Sequence, residues 1–184
     1  DYWLIKTDAN GNKQWEGTFG GDQNDSLTSL VPTDDGGCIL GGYSNSDSSG
    51  NKTNRIISDF DYWIVKLNAS GNKEWERAFG GPSYDFLNAL EPTADGGYLL
   101  AGQSYSGVGG NKTSPGSGGG GDFWVVKIHG NGDWQWDKAY GPAASGYNDQ
   151  RHALKQTADG GFILGGHSRS GIGGDKTTAG FGTN

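Results

Sequence analysis

Apolar and polar positions along the chain fall into short runs separated by Gly-, Asn- and Asp-rich turns, and the whole series recurs three times. YWLIKT, YWIVKL and FWVVKI are almost continuously apolar, rich in aromatic and β-branched residues. A short run of that kind predicts a strand covered on both faces. Trp3 and Ile5, Trp63 and Val65, and Trp124 and Val126 take one face; Leu4, Ile64 and Val125 take the other. KQWEGTF, KEWERAF and WQWDKAY alternate instead. Trp15 and Phe19, Trp75 and Phe79, and Trp136 and Tyr140 share a face, with Glu16, Glu76 and Asp137 on the opposite one. That period of two, with one polar face, predicts a half-exposed outer strand. SLTSLVPT, FLNALEPT and RHALKQT supply a third strand, and CILGGYS, YLLAGQS and FILGGHS a fourth. Helical periodicity appears nowhere, and glycine is too frequent for helix interiors.

The turns carry their own chemistry. DANGN, NASGN and HGNGD centre on Gly11, Gly71 and Gly132, where the turn calls for a positive φ. Asp8-x-Asn10-x-Asn12 has the look of a calcium loop, but its spacing and the carboxylate-free second copy favour a plain turn. Thr33-x-Asp35-x-Gly37, Thr93-x-Asp95-x-Gly97 and Thr157-x-Asp159-x-Gly161 resemble the Asp-box turn of sialidase-type propellers. In that turn the Asp holds a hairpin through backbone N–H groups, so a scaffold role is expected and no sialidase activity is implied. Asp25, Asp85 and Asp149 align just before the third strand, as turn caps or as the lining of one rim of a channel. Lys6, Lys66 and Lys127 recur within the first strand, and Asp1, Asp61 and Asp122 just before it. Recurrence in every copy favours ion pairing within or between repeats over chemistry.

Four strands per repeat, in repeats 1–60, 61–121 and 122–184, predict an all-β fold. The architecture expected is a β-propeller built of four-stranded antiparallel blades, with three blade-equivalents in a single repeat domain. β-Trefoils and β-solenoids use shorter units. With the third run innermost, the chain begins mid-blade; its first two and last two strands are halves of different blades, or of one blade closed by both ends. Three blades fall short of the usual four to eight. Completion of a larger ring by neighbouring repeats or by self-association is therefore expected.

The sequence Asp-aromatic-Trp-apolar-apolar-Lys, a Gly-Asn turn, a Trp strand, FGG, an Asp-bearing loop and then DGGYLLAG resembles the bacterial β-propeller repeat called SBBP. It is similar above all to tandem repeats of large secreted Bacteroidetes proteins that use the type IX secretion route. The resemblance spans the chain. It implies an extracellular or cell-surface location and no single chemistry, because fold does not fix function.

Composition narrows the partners. Hydrophobic residues make up only 32% and Gly 36 of 184, yet seven Trp, eight Tyr and seven Phe at fixed positions can build a core. The net charge of −7 argues against nucleic acid or an anionic membrane surface, and no long apolar run predicts membrane insertion. Met is absent, which points to a processed product or an excised fragment. Cys38 is the lone cysteine, aligned with Tyr98 and Phe162, which predicts an apolar slot and excludes an intrachain disulfide. No metal ligand set, nucleophile elbow or cofactor motif is present in the sequence, so no cofactor and no catalytic residue is assigned.

The copies differ most after the fourth strand. Tyr43, Gln103 and His167 occupy one equivalent position, and Asn45, Tyr105 and Arg169 another. The repeat does not require them. Aromatic rings stack on sugar rings while amide and guanidinium groups bond hydroxyls, so these six are the candidate ligand-binding residues, with a polysaccharide or cell-surface glycan as partner. Trp134, where the other copies have Lys13 and Lys73, is a further departure. The expected function is a non-catalytic structural or adhesive module that binds glycans at a variable rim. The alternative is a glycoside hydrolase-like enzyme using a carboxylate pair such as Asp25 and Asp85. The linker loops SSGNKTN, VGGNKTSPGSGGGG and IGGDKTTAGFGTN read as polar connections, in which the Asn51 and Asn111 sequons are silent in a bacterial source.

Overall fold

The computed structural model describes residues 1–117, 120–141, 150–167 and 171–180, with backbone alone at 150–152 and 167. The described residues form twelve strands and no helix: β1 (Tyr2–Thr7), β2 (Lys13–Phe19), β3 (Asp25–Pro32), β4 (Cys38–Ser44), β5 (Asp61–Leu67), β6 (Lys73–Phe79), β7 (Asp85–Pro92), β8 (Tyr98–Ser104), β9 (Asp122–Ile128), β10 (Trp134–Tyr140), β11 (Gln150–Gln156) and β12 (Phe162–His167). All pair antiparallel, in the orders β1-β2, β3-β4-β5-β6, β7-β8-β9-β10 and β11-β12. Each four-stranded sheet therefore joins the second half of one sequence repeat to the first half of the next. Among the described residues no pairing joins β12 to β1, so the series stays open at both ends.

The turns behave as their residues demand. Gly11, Gly71 and Gly132 have φ of 83°, 81° and 86°. Asp8 Oδ1 accepts the N–H groups of Asn10 and Asn12, both at 2.9 Å, which accounts for the calcium-like spacing as an ordinary turn. Asp35 Oδ1 accepts from Thr33 Oγ1 at 2.6 Å and from Gly37 N at 2.9 Å, and Asp95 and Asp159 repeat the pattern.

Three apolar clusters hold the sheets face to face. Tyr2, Leu4 and Phe19 meet Cys38, Leu40, Trp63, Val65 and Leu67. Ile39, Tyr62, Ile64 and Phe79 meet Tyr98, Leu100, Trp124, Val126 and Ile128. Leu99 and Val125 meet Leu154, with Phe162 and Leu164 packed against them. Each fully buried large side chain contributes roughly 1.5–3 kcal/mol. Polar bonds repeat along the stack. Tyr2 Oη donates to the Trp63 carbonyl at 3.0 Å and Tyr62 Oη to the Trp124 carbonyl at 3.1 Å, with ring centroids 4.6 and 4.7 Å apart. Thr28, at a bulge of β3, donates to the Leu87 carbonyl at 2.9 Å, and the Leu90 N–H donates to Ser29 Oγ at 3.2 Å. The first and third runs thus both bond successive sheets directly.

Two expectations need correcting. β5 is buried along its whole length, but β1, with nearly the same sequence, is covered only on its Tyr2–Leu4 face. Trp3 and Ile5 are 62% and 48% exposed, because no described sheet stands in front of them. The recurrent Asp and Lys of the first strand also do not pair with each other, since they sit at opposite strand ends. Lys66 reaches Asp35 at 2.7 Å and Lys127 reaches Asp95 at 3.0 Å, while Lys6 donates to the carbonyls of Gly36 and Ala69. Asp61 instead accepts the N–H groups of Ile57 and Ser58, and Asp122 that of Ser117 at 2.8 Å.

Candidate functional site

At the rim where β4 and β8 end and β5 and β7 begin, five aromatic side chains meet. Phe86 is the hub. Tyr43 meets its ring edge-on at 4.9 Å, Phe60 lies 5.4 Å away, Tyr84 stacks at 6.0 Å with planes only 10° apart, and Tyr105 approaches edge-on at 6.5 Å. Phe60 closes the group against Tyr43 at 5.6 Å and Tyr84 at 6.2 Å. Tyr84 and Tyr105 stand 44% and 37% exposed, so the cluster is a platform with two accessible phenols over a half-buried base. The backbone fixes it: the Tyr105 N–H donates to the Tyr84 carbonyl at 2.8 Å, and the Asp85 N–H to the Phe60 carbonyl at 2.7 Å. Burial pushes the Tyr105 phenol up, keeping it a neutral hydrogen-bond donor.

Of the six residues singled out in the sequence, the fold brings Tyr43 and Tyr105 together through Phe86. Asn45 lies at the end of the β4 ladder, where its Oδ1 accepts the Asn24 N–H at 2.8 Å. Gln103 is a correction. It is buried, not presented on a solvated loop, because Gly121 leaves room for the amide to fold inward; a Cβ at Gly121 would stand 2.4 Å from Gln103 Nε2. That nitrogen has no hydrogen-bond partner among the described residues. His167 is placed in β12 by its backbone, and Arg169 lies outside the described residues. Sequence reasoning passed over Phe60, Tyr84 and Phe86. A signal for them existed: the equivalents of Tyr84 and Phe86 one repeat earlier are Asn24 and Ser26, and that of Phe60 one repeat later is Gly121. All three rings belong to one junction alone.

Beneath the rim, the aligned aspartates are structural. Asp25 Oδ2 accepts from Gly21 N at 2.9 Å and Ser46 Oγ at 3.1 Å, and Asp85 Oδ2 from Gly81 N and Ser106 Oγ, both at 2.8 Å. This is the capping role; Asp149 lies outside the described residues. Among the described residues, Asp61 and Asp85 each keep a buried Oδ1 that meets no donor at good hydrogen-bond geometry. Burial pushes both carboxyls up, Asp61 to about 6. Among the described residues, no three His, Cys, Asp or Glu side chains converge as a metal site.

The loops that read as linkers are built into the sheets. Lys52 and Lys112 are buried over the rings of Trp63 and Trp124, at 5.8 and 5.1 Å from their centroids, and burial pulls both ammonium groups down. The neighbouring Thr53 and Thr113 hydroxyls donate to Glu76 and Asp137. The indoles of Trp63 and Trp124 donate to the same carboxylates at 3.2 and 3.0 Å. Glu76 and Asp137 are therefore buried, contrary to the half-exposed face expected of β6 and β10, because an NKT segment folds over each. Burial raises the Asp137 carboxyl, but its Ser114, Thr113 and Trp124 donors outweigh this and hold it at about 2. Asn51 and Asn111 have their amides engaged, donating to the carbonyls of Thr18 and Ala78 at 2.8 Å. The sequons are thus fastened into the scaffold.

No family model and no curated protein matches this chain. Among the described residues, no helix is long and apolar enough to cross a membrane.

Proposed function

We propose that the chain is a non-catalytic segment of an SBBP-like β-propeller, acting outside the cell or on its surface as an adhesive module that binds glycans. One observation carries the ligand class: five aromatic rings converge on a single rim with Tyr84 and Tyr105 accessible, and the repeat does not require them. Flat, partly exposed rings bind the C–H faces of sugars, and phenolic hydroxyls bond sugar oxygens. The open order of four antiparallel sheets supports the propeller reading, with the two end pairs completed by further repeat material. Asp25 and Asp85, one carboxylate pair that a hydrolytic reading could use, are buried and accept from backbone N–H and serine donors, which favours binding over turnover.

The test is a glycan array on the intact chain, followed by titration calorimetry with any polysaccharide retained. A Tyr84→Ala, Tyr105→Ala double variant is expected to lose at least about tenfold in affinity, or about 1.4 kcal/mol, while keeping a cooperative melting transition. Glycan binding that survives the double substitution would remove the rim from consideration. Release of reducing sugar by the wild-type chain would replace the adhesive reading with the enzymatic one.

A further inference from the structure

The two ends of the fold are complementary halves of one sheet. Inside the chain β4 pairs with β5 and β8 with β9, in the same register: Leu40 faces Val65, and Leu100 faces Val126. β12 is the counterpart of β4 and β8, and β1 of β5 and β9, yet among the described residues each lacks that partner.

The side chains tell the same story. The two complete clusters contain Trp63 with Val65 and Trp124 with Val126, all fully buried. The third cluster has the surrounding residues, Val125, Leu154, Phe162 and Leu164, without a Trp–aliphatic pair from a neighbouring strand. Where the pair belongs there is a cavity of about 410 Å³ lined by Phe123, Tyr140, Leu164, Gly165 and Gly166. These residues correspond to Tyr62, Phe79, Leu100, Ala101 and Gly102, of which Tyr62, Phe79 and Leu100 share a cluster with Trp124 and Gly102 lies opposite it in the ladder. Tyr140 is 44% exposed, whereas its counterparts Phe19 and Phe79 are buried. The missing pair exists at the other end of the molecule, exposed: Trp3 and Ile5. The outward-facing Ile163 also belongs to the open strand β12.

We infer that copies of this chain associate head to tail. The β1–β2 hairpin of one copy completes the β11–β12 sheet of the next, and Trp3 enters the Phe123–Tyr140–Leu164 cavity. The inherited register sets Ile5 opposite Leu164, Leu4 opposite Gly165 and Trp3 opposite Gly166. The contact is heterologous, so its geometry leads to a ring if the rotation closes and to a filament if it does not. The inference rests on the propeller reading of the sheet series and is independent of glycan binding.

The experiment is sedimentation of the intact chain at about 100 μM, well above the Kd of a specific interface, together with an Ile5→Cys, Leu164→Cys variant that also carries Cys38→Ala, so that no native thiol competes, under mild oxidation. Particles heavier than 19.3 kDa and an intermolecular disulfide ladder are expected. Trp3→Glu, on an exposed side chain whose indole donates to the exposed Glu16, is expected to leave monomers with a melting temperature close to that of the wild type. Assembly that survives Trp3→Glu, or that forms no ladder, overturns the pairing. A wild-type chain that stays monomeric also overturns it, and leaves a covalently continuous repeat as the occupant of both edges. Electron micrographs of the cross-linked species separate the premises: closed rings support both, and open filaments keep the pairing while removing the propeller.

Discussion

β1 and β5 are nearly one strand in two environments. DYWLIKT and DYWIVKL offer the same Tyr, the same Trp and aliphatic residues at matching positions. In β5 both faces are sealed, one by the Tyr2–Leu4–Phe19 face of the preceding sheet and the other by the Leu100–Trp124 face of the following one. In β1 the Trp face is open. The difference shows that burial here is conferred by the neighbouring sheet and not by the strand's own composition. Each repeat supplies half of the surface that its neighbour needs.

The sharpest way to break that comparison is to remove the same side chain from both strands. Trp63→Ala empties a fully buried site and takes the indole donor from Glu76, so a loss of about 3–5 kcal/mol is expected. Trp3→Ala, measured where any assembly is dissociated, is expected to change stability by less than about 0.5 kcal/mol. Urea unfolding at low protein concentration measures both. Equal losses would mean that the Trp3 face is covered within a single chain.

The head of the strand gives the next largest contrast. Asp1 is exposed; Asp61 is buried, and its carboxyl is pushed from 3.8 to about 6. A raised carboxyl keeps its proton in the folded state over a range where the unfolded chain has lost it. Folding stability therefore falls as pH rises from about 4 to about 6, by an amount on the order of 2–3 kcal/mol. Asp61→Asn is expected to remove that fall and to raise the urea midpoint at pH 7, since an amide can still accept from Ile57 and Ser58. Asp137 runs the other way: its stabilisation is present above about pH 4 and is lost as pH drops toward about 2. An unchanged pH profile in Asp61→Asn would show that its burial carries no such penalty.

The contrast also shows what the sequence makes legible. The runs YWLIKT, KQWEGTF and CILGGYS coincide with β1, β2 and β4, because apolar runs between Gly and Asn turns leave little freedom in their bounds. The third strand begins one residue earlier than its apolar run suggests, because Asp25 and Asp85 enter the ladder opposite Ser44 and Ser104 while capping the turn before it. Lys52 and Lys112 were opaque. A lysine in a Gly- and Ser-rich loop reads as solvated, and only the loop's return across the Trp63 or Trp124 ring buries it. The aromatic rim was half legible: Tyr43 and Tyr105 stand out as departures from the repeat, but Phe60, Tyr84 and Phe86 acquire meaning only when two sheets meet.

The smallest effect separates internal sheets from the open end most finely. Tyr2 and Tyr62 each donate a hydroxyl hydrogen bond to the carbonyl of a Trp in the next sheet. Phe123 holds the equivalent place and has no hydroxyl to give. Tyr62→Phe is expected to cost about 1 kcal/mol, the net worth of one buried hydrogen bond. Phe123→Tyr is expected to leave the stability of the isolated chain within about 0.5 kcal/mol. If Trp3 of a second copy occupies the Phe123–Tyr140 cavity, the new hydroxyl meets the Trp3 carbonyl just as Tyr62 meets that of Trp124. Association then tightens by about fivefold, the equivalent of about 1 kcal/mol. Sedimentation of Phe123→Tyr beside the wild type reads this directly. Unchanged association would mean that the strand docking on β12 does not carry its Trp backbone where β9 carries that of Trp124.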